Sequence, residues 1–206
     1  VGSEMCIRDS VPLVENVARD AVWLGLRVRN AQPGTTSVTM SLLDAEGPGD
    51  VAAYVVSTFG TPEALFNTAD GLDERDDSTT LPANAHTHVS WAFTKPGIYR
   101  LTFGATDSSP QEFTVAVGVQ PPDGMTSLDS GHVDITADLS TGELDLEDQG
   151  EGFDPRTTAL SIPNSTLQQI PPDPAYRFLG RPGDETYLLP QAVLGKHIHG
   201  EVDPCL

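Results

Sequence analysis

Cysteine is nearly missing: two occur in 206 residues, Cys6 and Cys205, close to opposite ends of the chain. A disulfide scaffold is therefore not expected, and stability has to come from an apolar core. Basic residues are scarce too, with 11 Lys and Arg against 30 Asp and Glu, a formal net charge of −19. Nucleic acids and anionic membrane surfaces bind through positive patches, so neither is an expected partner. No apolar run approaches the roughly 20 residues that a membrane-crossing helix needs, so no membrane insertion is expected in this stretch. Catalytic motifs are missing as well: there is no Gly-x-Ser-x-Gly elbow, no Gly-rich phosphate loop, no His-Glu-x-x-His and no Cys with a His partner. The expectation is a protein that is not an enzyme. A hydrolase would require a pocket of converging titratable groups, which sequence does not display.

The chain has 17 Pro, 19 Gly and 38% hydrophobic residues, a composition suited to short strands joined by many turns. Residues 1–10, Val1-Gly2-Ser3-Glu4-Met5-Cys6-Ile7-Arg8-Asp9-Ser10, show neither a strand period nor the apolar centre of a signal peptide. They resemble a translated sequencing adapter and are expected to be non-native, with the natural chain starting inside a gene. Without Cys6, only Cys205 is left, and no intrachain disulfide is expected.

Alternating apolar residues mark strands at Val22 to Arg29, Ser37 to Leu42 and Val51 to Thr58, separated by Asn30-Ala31-Gln32-Pro33-Gly34 and Glu46-Gly47-Pro48-Gly49. Residues 67–80, rich in Asp and Thr, read as a solvated loop. Its Asp70, Asp73, Asp76 and Asp77 lack the alternating ligand spacing and central Gly of an EF-hand. From Asn84 to Phe103 the pattern sharpens. Val89, Trp91 and Phe93 form one stripe, with His86, His88 and Ser90 on the other face. Pro96-Gly97 suits a type II turn. Gly97-Ile98-Tyr99-Arg100-Leu101 then has the form of a tyrosine corner, in which the phenol ties back to nearby backbone. Gln111 to Val119 closes a set of about seven strands, the number an Ig-like sandwich needs. The fold class expected is all-β: an Ig-like antiparallel β-sandwich over 11–119, a linker at 120–130 marked by Pro121-Pro122-Asp123-Gly124, and a partial second β-rich unit over 131–206. That unit would use His132 to Thr136, Glu143 to Leu146, Thr158 to Ile162, Tyr176 to Leu179 and Tyr187 to Leu194.

The five histidines are His86, His88, His132, His197 and His199. Four form two His-x-His pairs. On a strand this spacing puts both imidazoles on one face, where they can share a metal ion with a third His or a carboxylate. The same two residues equally suit the wet face of an edge strand as plain polar side chains. Glu201 and Asp203 add carboxylates beside His197 and His199, and zinc accepts both ligand types. Trp91, alternating with Val89 and Phe93, is expected in the core rather than at a ligand. Asn164-Ser165-Thr166 matches a glycosylation acceptor, a three-residue pattern short enough to arise by chance.

The block Asn84-Ala85-His86-Thr87-His88-Val89-Ser90-Trp91-Ala92-Phe93-Thr94-Lys95-Pro96-Gly97-Ile98-Tyr99-Arg100-Leu101-Thr102-Phe103 resembles the signature of the actinobacterial surface-anchored protein repeat, also called the choice-of-anchor M domain. Gly60-Thr61-Pro62 and Leu65-Phe66-Asn67-Thr68-Ala69-Asp70-Gly71 are similar to the family's upstream segment. Gly131-His132-Val133-Asp134, Phe178-Leu179-Gly180 and Leu188-Leu189-Pro190-Gln191 resemble the start of such a repeat. The resemblance spans residues 20–195. It implies a secreted protein anchored at the cell surface or wall that serves as a binding, adhesion or spacer module toward an envelope or extracellular protein. Because such proteins are often encoded beside ABC transporters for metal ions, it also implies an alternative: an accessory protein that buffers or delivers zinc or manganese. The resemblance implies no reaction.

Overall fold

Strand β1 (Val22–Arg29) shows how the period of two builds this protein. Val22, Leu24, Leu26 and Val28 are buried on one face, and Trp23, Gly25, Arg27 and Arg29 line the other. The computed structural model describes residues 21–73 and 75–191, and over them the protein is an all-β sandwich with three short 3-10 helices. The first sheet runs in the order β13 (Glu151–Phe153), β12 (Glu143–Asp148), β11 (Gly131–Asp138), β1, β6 (His86–His88). The second runs β10 (Thr126–Leu128), β14 (Thr158–Ile162), β9 (Gln111–Val117), β8 (Gly97–Ala105), β2 (Ser37–Glu46), β5 (Ser78–Pro82). The third runs β15 (Leu167–Gln169), β16 (Glu185–Leu189), β7 (Ser90–Phe93), β3 (Val51–Val56), β4 (Pro62–Asn67). Among the described residues no helix is long and apolar enough to cross a membrane.

One continuous core joins the three sheets, with Leu24 and Ile135 from the first, Phe103 and Phe113 from the second, and Trp91 and Phe93 from the third. Trp91 is a core residue, as its alternation requires, fully buried and packed against Phe66 and Phe103. A smaller apolar cluster lies on the third sheet's other face. There Tyr54 and Leu188 are covered by Ile170 and by the 3-10 helix Pro174–Leu179. Tyr176 to Leu179, expected as a strand, is helical because Asp173 caps the Ala175 N–H and Pro174 occupies the first turn.

The segment after residue 131 is not a separate sandwich. Its strands enter all three sheets: β11 lies parallel to β1, β14 parallel to β9, and β16 antiparallel to β7. The expected boundary at 120–130 is a connection within one fold. The reason is apolar area: Val133, Ile135, Leu144, Leu146, Leu160 and Ile162 belong to the same core as Leu24 and Leu26. The expected solvated loop at 67–80 is also more structured than its composition suggests. It contains the ends of β4 and β5, and the buried Asp77 carboxylate accepts the Asn67 N–H at 2.6 Å and the Asp73 N–H at 2.7 Å. At Val89 the chain passes from the first sheet to the third, so Ser90 leaves the face of His86 and His88 and is buried opposite Tyr54.

The tyrosine corner is present. Tyr99 donates its hydroxyl to the Lys95 carbonyl at 2.7 Å, and the Lys95 N–H reaches the same oxygen at 3.3 Å. Burial pushes this phenol up to about 12. Tyr99→Phe keeps the ring but strands both backbone groups, so it should cost about 1–2 kcal/mol, read as a lower urea midpoint at unchanged slope.

Candidate metal centre

On the outer face of the first sheet, register brings together residues far apart in sequence. In β1, Trp23 lies opposite His132 and Gly25 opposite Asp134; on its other side Gly25 lies opposite His88 and Arg27 opposite His86. His86, His88, His132 and Asp134 therefore converge over the single strand that separates β6 from β11. Each offers one ligand atom, and these atoms all lie within 4.8 Å of one another. His86 Nε2 is 3.0 Å from Asp134 Oδ1 and 3.1 Å from His132 Nε2, and His132 Nε2 is 3.8 Å from the same carboxylate oxygen. Ligands around a tetrahedral ion with bonds near 2.0–2.1 Å stand about 3.3 Å apart, so this group can hold a metal ion with small adjustments.

Gly25 makes the space. A Cβ built at this position would overlap Asp134 Oδ1 and would lie 3.3 Å from His86 Nε2. The carboxylate occupies the volume that any other residue's side chain would fill. Trp23 forms one wall: its indole stacks on His88 with centroids 3.6 Å apart and planes at 10°, and it leans over His132 at 4.9 Å. Its Nε1–H donates to the Gln191 carbonyl at 2.9 Å. Gln191 in turn donates its N–H to Ser90 Oγ and accepts the Val56 N–H on its side chain, which ties the wall to the third sheet.

The electrostatics suit a cation. Asp134 is 2% exposed, and its burial pushes the carboxyl above the ordinary value while His86, His132 and Arg27 pull the other way. A carboxylate so placed gains most from a positive neighbour. His88 is pushed down to about 3, first by burial and then by the adjacent His86 and His132, so it is the neutral imidazole that a metal requires. Its Nδ1 is buried and has no hydrogen-bond partner among the described residues.

Beyond the histidines, the same face carries an ionic layer across β1, β11 and β12. Arg27 bonds Glu147 at 2.8 Å; Arg29 bonds Glu147 at 2.6 Å, Asp145 at 2.9 Å and Asp138 at 3.0 Å. Asn30 and Ser140 also donate to Asp138. Burial alone would raise the Asp138 carboxyl, but the hydrogen bonds from Ser140 and Asn30 and the Arg29 charge outweigh it and hold it at about 2.

Of the five histidines singled out from sequence, His86, His88 and His132 come together, whereas His197 and His199 lie outside the described residues. Asp134 was not among the expected ligands, although His132-Val133-Asp134 repeats the i, i+2 spacing of His86-Thr87-His88. Trp23 and Gly25 were missed as well. Asp70, Asp73 and Asp76 do not join the group. No protein-family model, curated protein or solved structure matches the chain. What fold and site define together is a class: an all-β sandwich carrying a three-histidine, one-carboxylate group that can hold a metal ion.

Two outcomes are expected. Gly25→Ala should displace Asp134 and break up the four-residue group, a change visible as the loss of any melting-temperature response to an added divalent metal ion. The Asp138 carboxyl titrates near 3.8 when unfolded and at about 2 when folded, so the native state binds fewer protons in that interval. Its stabilisation, about 2 kcal/mol, is complete above pH ~4 and lost as pH falls through about 2. In Asp138→Asn the stability deficit should be largest above pH ~4 and shrink toward pH ~2, as measured by urea unfolding across that range.

Proposed function

We propose that this protein is a zinc-binding β-sandwich module of the cell envelope, which takes its ion at His86, His88, His132 and Asp134. The observation that carries the reading is the convergence of four ligand atoms within 4.8 Å over a glycine that leaves them room. Three imidazoles and one carboxylate form a nitrogen-rich, four-ligand set, which suits tetrahedral zinc better than manganese with its preference for oxygen and higher coordination. Four protein ligands also complete the tetrahedron and leave no position for an activated water. The role that follows is holding or handing over the ion, not catalysis.

The side chains of His86 and His132 are 34% and 32% exposed, so the ion is reachable from solvent for loading and release. Display outside the cell rests on the resemblance to surface-anchored repeats and on the strongly acidic composition. On this reading the partner is an envelope protein, a metal-ion ABC transporter system in particular, to which the module would present or buffer zinc.

The test is calorimetry of the full chain with zinc and with manganese, beside His86→Ala/His88→Ala. Zinc should bind saturably at about one ion per chain, more tightly than manganese, with binding lost in the double variant. Emission from Trp23, stacked on His88, should change along the same titration. Absence of saturable binding would leave the adhesion or spacer role as the reading to pursue.

A further inference from the structure

We infer that Arg27 is a positioning residue that sets which metal the centre accepts, by restricting Asp134 to one oxygen and keeping Glu147 out of reach of the ion. This rests on the metal-binding reading above.

The two oxygens of Asp134 face different neighbours. Oδ1 points to His86 Nε2 at 3.0 Å and to His132 Nε2 at 3.8 Å, while Oδ2 faces Arg27 Nη1 at 3.9 Å. Glu147 lies directly opposite Asp134 on the neighbouring strand, so two largely buried carboxylates stand side by side. Arg27 reaches toward both, bonding Glu147 Oε1 at 2.8 Å with the same Nη1 that faces Asp134. A guanidinium there repels a divalent ion from the Oδ2 side and engages the carboxylate that would otherwise turn toward it. The ion is left with one oxygen and three imidazoles.

Removing that charge changes the donor set. Asp134 becomes free to bind through both oxygens, and Glu147 becomes a candidate fifth ligand. An oxygen-rich site of higher coordination favours manganese relative to zinc. Glu147 Oε2 stays paired with Arg29 at 2.6 Å, so only Oε1, the oxygen that Arg27 had held, is released, and the sheet keeps a counter-ion at this point.

The experiment uses the full chain and cobalt(II), whose visible absorption is intense when four-coordinate and weak at higher coordination, together with zinc–manganese competition. The wild type should give the intense spectrum. Arg27→Met should give the weak one, with the zinc-over-manganese preference reduced by about tenfold or more, the size typical of outer-sphere partners. Arg27→Lys retains the charge and should behave like the wild type. Arg27→Gln, a milder truncation, carries the same expectation as the Met variant if that protein does not fold. An unchanged spectrum and unchanged preference in the neutral variants would overturn the role of Arg27 while leaving the metal centre standing. Failure of the wild type to bind cobalt or zinc would instead remove the centre, and this inference with it.

Discussion

The eight-residue parallel pairing of β1 with β11, from Val22 opposite Gly131 to Arg29 opposite Asp138, has two products on its two faces. Inward, it aligns Leu24 and Leu26 with Val133 and Ile135 and so joins the two halves of the chain in one core. Outward, it sets Trp23, Gly25, Arg27 and Arg29 beside His132, Asp134, Thr136 and Asp138. A slip of one residue would turn both sets over, exposing leucines and burying charges, so the pairing is strongly specified. The histidines of β6 reach the group only because β1 carries them on its other edge.

The outward face is costly by itself. Asp134, Asp138 and Glu147 are each at most 5% exposed, and buried carboxylates lose hydration that only well-placed partners restore. Arg27 and Arg29 supply part of that compensation, and the pair is arranged asymmetrically. Arg29 sits among three carboxylates, whereas Arg27 has one short contact and one long one. The end of the layer least compensated by arginine is the end where the imidazoles gather. Charge balance across the face thus runs from arginine at one side to histidine at the other.

How much of this was legible in the sequence depends on distance along the chain. The all-β class, the tyrosine corner and the core role of Trp91 follow from local alternation and turn residues, and they were readable. His86-x-His88 was readable for the same reason. That His132 and Asp134 complete the group was not, because it depends on β1 lying between β6 and β11, a register with no local signal. The division into two units failed likewise: Pro121-Pro122-Asp123-Gly124 has the look of a linker, but turn chemistry does not reveal whether the next strand pairs with its neighbours or with β1. Asp173-Pro174 did carry a local helix-start signal, and the apolar run that follows obscured it.

Gly25 gives the candidate centre a property that its histidines and aspartate do not share. Histidine and aspartate pairs at i, i+2 arise easily on any strand, but here they matter only across a strand with a gap at one position and a tryptophan two residues before it. The arrangement therefore has a written form: Trp-x-Gly-x-Arg, then His-x-His, then His-x-Asp, in that order along the chain. Other sequences can be searched for that three-part pattern without a structure, and those that keep the ligands but fill the glycine position would mark where the centre has been lost.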